Sequence, residues 1–111
     1  MRSIAIVIGF YLLMLSTAAA ADAGWIDDTE VVELIPTGRH YYELHLTAKN
    51  NSSGCREKNW FYINYDTPGA DKMFDLFVDS ITKALHLKVY VTGVCNLNGY
   101  AEISAVSVSP K

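Results

Sequence analysis

The chain has 111 residues, half of them hydrophobic and 12% aromatic, and its nine Lys and Arg stand against twelve Asp and Glu for a net charge of −3. That length holds one small domain with a modest core and leaves no room for a second. With no cluster of Lys and Arg, the composition also excludes nucleic acid or an anionic membrane surface as the main partner.

Met1-Arg2-Ser3 is a short basic start, Ile4 to Leu15 is an apolar run of twelve residues, and the small residues of "STAAAADAG" follow. This order predicts a secretory signal peptide over residues 1–21, cut after Ala21, with Ala23 as the other site. The run is shorter than the roughly 20 apolar residues of a spanning helix, so no membrane span is expected after cleavage. Residues 22–111 then form the single domain. Losing Arg2 leaves eight positive against twelve negative side chains, a net charge of −4. The predicted destination is the bacterial periplasm or the medium.

Asp22 to Asp28 is a short acidic lead-in, with Trp25 expected to tuck against the domain. Thr29 to Ile35 is β-branched and apolar and is stopped by Pro36-Thr37-Gly38, which predicts a first strand. Tyr41 to Ala48 alternates, with Tyr42, Leu44, Leu46 and Ala48 on one face and Tyr41, Glu43, His45 and Thr47 on the other, a half-buried second strand. Lys49 to Gly54 is polar and turn-forming. Trp60 to Tyr65 is a third strand with bulky residues on both faces; Trp60, Tyr62 and Asn64 share one of them.

After Thr67-Pro68-Gly69 the period changes. Met73, Phe74, Phe77, Val78, Ile81 and Leu85 recur at three- and four-residue steps, which predicts an amphipathic helix over Asp71 to His86. Thr67 or Asp71 is the expected cap, Pro68 suits a first helical position, and Asp79 four residues before Lys83 is expected to pair with it. Leu87 to Val94 and Tyr100 to Ser109 complete the strands. In the last of these Ile103 and Val106 fall out of phase, the sign of a bulge or of a strand that changes partner.

The order strand, strand, strand, helix, strand, strand is that of a five-stranded OB-like Greek-key barrel, mainly β with one helix. An α+β antiparallel sheet with one packed helix is the alternative. The phase slip and the doubly apolar third strand favour the barrel.

Cys55 and Cys95 are the two cysteines, and an even count in an exported chain predicts a disulfide. A metal site would want more Cys or His near by, and a catalytic thiol a paired His with no oxidising partner. His40, His45 and His86 are scattered, and the pairs Asp27-Asp28 and Asp75/Asp79 read as solvated charge. No serine or threonine sits in a nucleophile motif, and no glycine-rich phosphate cradle is present. The expectation is a protein that is not an enzyme and holds no cofactor or metal. Asn50-Asn51-Ser52 and Asn51-Ser52-Ser53 are sequons, which a eukaryotic secretory route could glycosylate and a bacterium would use as turn residues.

Aromatic residues are the more useful hint, since Tyr41, Trp60, Tyr62, Tyr65, Tyr90 and Tyr100 exceed what a core of this size can bury. Such residues beside Asn, Asp and Glu bind sugars or protein surfaces. The candidate binding residues are Trp60, Tyr62, Asn64, Tyr41, Glu43 and His45.

The opening "GWI", the turn and aromatic strand of "NNSSGCREKNWFYINYD", the aromatic helix and the strand "VYVTGVC" together resemble a set of small exported bacterial proteins, uncharacterised as a group. In that set the two cysteines occupy corresponding places, so the resemblance implies pairing of Cys55 with Cys95. More distantly, in size, export, disulfide and element order, the chain is similar to the B subunits of AB5 toxins, OB-fold domains that bind host glycans as pentameric rings. No residue-level motif carries over from them. The expected function is an exported binding domain for an unknown protein or glycan. A toxin-like glycan-binding ring, and a periplasmic inhibitor or accessory protein, are the alternatives, and an oligomer is compatible with each.

Overall fold

The computed structural model describes residues 22–111, and the predicted signal peptide lies outside them. The elements are β1 (Gly24–Pro36), β2 (Tyr41–Thr47), β3 (Trp60–Asn64), α1 (Ala70–Thr82), β4 (Leu85–Cys95) and β5 (Ala101–Pro110). The five strands close into a barrel in the order β1-β2-β3-β5-β4, with the helix between β3 and β4. This is the OB-like layout, mainly β with one packed helix.

Closure depends on β1 serving two neighbours. Its first half pairs with β4, from Gly24 opposite Val91 to Thr29 opposite Leu87, and its second half with β2, from Glu30 opposite Thr47 to Pro36 opposite Tyr42. Each half contains a register shift. One falls between Ile26 and Thr29, where Asp28 takes a left-handed φ of 53°; the other leaves Val32 unpaired between Val31 and Glu33. Extra residues bend a strand and raise its twist, which lets one long strand wrap the barrel. The acidic lead-in is therefore strand, and β1 begins five residues earlier than composition predicts. Trp25 stands half exposed with Tyr90 edge-on at 5.4 Å, and is not tucked in.

The phase slip predicted in the last strand is a bulge. Val91 faces Ile103 while Tyr90 faces Ala105, so Ser104 is the additional residue. β3 and β5 meet in parallel over two pairs, Phe61 with Ala101 and Tyr62 with Glu102. Inside the barrel Ile26, Leu44, Leu46, Phe61, Ile63, Leu87, Val89, Val91, Ala101 and Ile103 are buried. Leu44 and Leu46 follow the period-2 alternation read from β2.

The helix packs on β1, β4 and β5 and contributes Ala70, Met73 and Phe77 to the core. Its boundaries correct the sequence reading. It stops at Thr82, because Leu85 and His86 join the ladder opposite Pro110 and Ser109. Neither Thr67 nor Asp71 caps it with a side chain. Gly69, at φ 79°, is the cap, and Pro68 lies in the turn before it. Lys83 meets Asp79 through its backbone N–H at 3.0 Å. Val78 and Ile81 are exposed, so the buried stripe is narrower than the apolar one.

Asp71 has another use. The Tyr42 hydroxyl donates to its carboxylate, and the Tyr42 ring stacks on Phe74 at 4.3 Å and meets Tyr65 edge-on at 4.6 Å. The hydrogen bond to Asp71, with burial and the Asp71 charge adding to it, pushes the Tyr42 phenol up to about 12. A folded-state value above the unfolded one stabilises the fold below pH ~10 and loses that contribution as pH climbs from about 10 to about 12. Titration by absorbance near 295 nm should show one tyrosine ionising near pH 12, and Tyr42→Phe should remove that step; its persistence in the variant would refute the assignment.

Candidate functional site

Pairing of β2 with β3 sets the six candidate residues on one outward face. Tyr41 stands opposite Asn64, Glu43 opposite Tyr62, and His45 opposite Trp60, while their sequence neighbours Leu44, Leu46, Phe61 and Ile63 point into the core. On the other side of β3, the two parallel pairs with β5 bring Glu102 beside Tyr62 and Tyr100 beside Trp60. Thr92 of β4 extends the row, its hydroxyl donating to Glu102 at 2.8 Å.

Two lines of side chains therefore cross the strands. One runs His45, Trp60, Tyr100, a stack with centroids 4.4 Å and 5.5 Å apart and planes within 11° and 19° of parallel. Because β3 lies between β2 and β5, the indole is sandwiched between the His45 and Tyr100 rings. The other line runs Glu43, Tyr62, Glu102, Thr92, with Tyr62 flanked across the strands by two acidic residues.

This face is more closely packed than a solvated row. Glu43, read from the sequence as part of an exposed polar line, is only 9% exposed, and Tyr62 only 7%. The large neighbours account for it: Tyr41 meets Tyr62 edge-on at 6.0 Å, and the Arg39 guanidinium lies 3.3 Å from the Glu43 carboxylate and 5.8 Å from the centre of the Tyr41 ring. Asn64 is on the face, but its carboxamide oxygen accepts the Asp66 N–H at 2.9 Å and so serves the turn after β3.

Burial first, and the Glu102 charge second, raise the Tyr62 phenol above its ordinary value. The Tyr100 phenol is raised by burial, then by Glu43 and Glu57, with Arg39 opposing. Both remain donors near neutral pH. Among the described residues no buried side-chain polar atom lacks a partner. The face thus offers phenol, indole and imidazole groups beside carboxylate acceptors, fixed on strands.

The two ends of the face are held differently. At the Tyr41 end, His40 takes φ 73° and bonds Asp66 at 2.8 Å, and the Tyr65 hydroxyl donates to the Thr37 carbonyl. At the Trp60 end, the linker 48–59 is tied to the end of β4 by a disulfide between Cys55 and Cys95, with Cα atoms 5.7 Å apart. Within that linker Asn51 is a turn residue: its carboxamide accepts from the Ser53 N–H at 3.0 Å and donates to the Lys58 carbonyl at 2.9 Å.

Concavities lined by other residues also occur among the described residues. One of about 410 Å³ is bounded by Asp28, Glu30, Lys49, His86 and Lys111, where β1 changes partner, and it holds a loose Lys111–Glu30 pair at 4.0 Å. The His86 imidazole is the one ring that lines it. Among the described residues no three metal-capable side chains gather, and no helix is long and apolar enough to cross a membrane.

Sequence reasoning selected the β2 and β3 residues of the site, counted Tyr100 among the surplus aromatics without placing it there, and missed Glu102. Their place depends on a parallel pairing of two residues between strands nearly 40 positions apart, for which a single chain carries no local signal. Compared with known protein families, with curated proteins and with solved structures, the chain matches none.

Proposed function

We propose that the protein is an exported, non-enzymatic binding domain that receives its partner on the outward face of β2, β3 and β5. The observation that carries this is the continuity of the face: seven aromatic, carboxylate and amide side chains on three adjacent strands, with Tyr100 joining them from the residue before β5. Barrels of this layout often use the outward face of strands two and three and the neighbouring loops for ligands, an argument from fold alone. Trp60 is the centre of the stack and the residue whose removal would open it most.

The test is binding of the domain to a glycan array and to proteins of the producing organism, wild type against Trp60→Ala. Truncating a central aromatic anchor should weaken capture by about tenfold or more, with circular dichroism unchanged. Equal binding by the two proteins would refute this placement of the site.

A further inference from the structure

The turn between β4 and β5 holds Asn98-Gly99, the one Asn-Gly step in the chain. Such a step carries a chemistry of its own. The amide nitrogen that follows an asparagine can attack the side-chain carbonyl carbon, and glycine, free of a Cβ and of its conformational limits, opposes that attack least. Asn98 is exposed, so water reaches it.

The turn opposes the reaction in place. The Gly99 N–H, which carries the attacking nitrogen, donates to the Asn96 carbonyl at 2.9 Å. The Asn98 N–H donates to the Asn96 carboxamide oxygen at 3.0 Å, which also accepts the Tyr100 N–H at 2.9 Å. Both peptide units that flank Asn98 are therefore held. A five-membered ring closes only after the Gly99 nitrogen has left its hydrogen bond and the Asn98 backbone has swung out of the turn.

The linker 48–59 fastens the same atoms from outside. The Arg56 guanidinium donates to the Asn98 carbonyl, the Glu57 N–H donates to the Gly99 carbonyl at 2.9 Å, and Cys95, next to the turn, is bonded to Cys55. Gly99 is buried at φ +83°, and a Cβ on it would lie 2.9 Å from the Arg56 Cβ. The linker thus packs on the residue whose nitrogen must move. Opening the turn means lifting the linker away, and local openings of this kind set the rate of any reaction that the closed form excludes.

We propose that Asn98 is a deamidation site kept latent by the linker that Arg56 and the disulfide fasten to it. In the opened turn the Gly99 nitrogen gives up its proton and bonds to Asn98 Cγ; the Cγ–Nδ2 bond breaks, and Nδ2 leaves with that proton as ammonia. Water then opens the succinimide at either carbonyl, which gives aspartate or isoaspartate and one added negative charge. No redox step and no co-reactant besides water is involved. Isoaspartate also puts an additional carbon into the main chain of the turn, which then cannot close as before on Tyr100, the residue stacked on Trp60. None of this depends on what the strand face binds.

The test incubates the purified, oxidised protein at neutral pH and follows Asn98 by peptide mass spectrometry and by isoaspartate methyltransferase labelling. Native wild type is compared with wild type unfolded in guanidinium chloride, with Arg56→Ala and with Cys55→Ala/Cys95→Ala; Asn98→Gln is the blank. Conversion at Asn98 is expected to be about tenfold or more slower in the native protein than in the unfolded chain. Arg56→Ala, with circular dichroism unchanged, should convert about threefold or more faster than native wild type, the weight of one exposed hydrogen bond from a charged donor. Native conversion within about twofold of the unfolded rate overturns the latency, and no gain in either Arg56→Ala or the cysteine variant overturns the role of the linker.

Discussion

Reducing the Cys55–Cys95 disulfide is expected to lower the stability of the domain by about 4 kcal/mol, the chain-entropy value for a closed loop of roughly 41 residues. For a domain of this size, that corresponds to a fall in Tm on the order of 20 °C. The bridge joins residues 40 apart and encloses β3, the helix and β4, so the unfolded chain gains a large freedom when it opens. In the folded state the same bridge anchors a linker of twelve residues, Ala48 to Asn59, that lacks regular structure. Calorimetry with and without reductant, and of the double variant Cys55→Ala/Cys95→Ala, measures the effect. An unchanged Tm in both would mean that the bridge contributes nothing to stability.

Phe77→Ala should destabilise the domain by about 3–5 kcal/mol, the range for a large core aromatic cut to Ala. Phe77 is fully buried and carries the helix onto the strands with Met73 and Ala70. A loss of that size is a large share of the ~5–15 kcal/mol that holds a typical domain together. Val78→Ala is the internal comparison, since Val78 is exposed on the next position, and its effect should stay within about 0.5 kcal/mol. Urea denaturation of the two variants reads the difference. Equal and small effects would refute the packing of the helix described above.

Much of the fold is legible in the chain because its strands announce themselves by period. The alternation in "YYELHLT" separates Leu44 and Leu46 from Tyr41, Glu43 and His45, and the structure keeps that division. The slip between Ile103 and Val106 marks a bulge at Ser104, as found. Errors concentrate where neighbours overrule local preference. The apolar periodicity of the helix runs on to Leu85 and His86, but the ladder with β5 claims those residues, and Gly69 displaces the side-chain caps that composition favours. "GWIDDT" has little strand character, and it becomes strand because β4 offers it a partner on the barrel wall.

The candidate site divides along the same line. Alternation determined that Tyr41, Glu43 and His45 share one face, and Trp60, Tyr62 and Asn64 another, since a period of two fixes the direction of each side chain whatever lies beside it. Cysteine number and the apolar start of the chain likewise determined the disulfide expectation. Tertiary structure alone decided that the two faces are one, that Glu43 is enclosed by Tyr41 and Arg39, and that Tyr100 and Glu102 complete the surface across β5. The physical reason is that register and burial belong to pairs of strands. Closing the barrel is what brings residues 41–45, 60–64 and 100–102 side by side, and no local pattern in any one of these segments encodes the others.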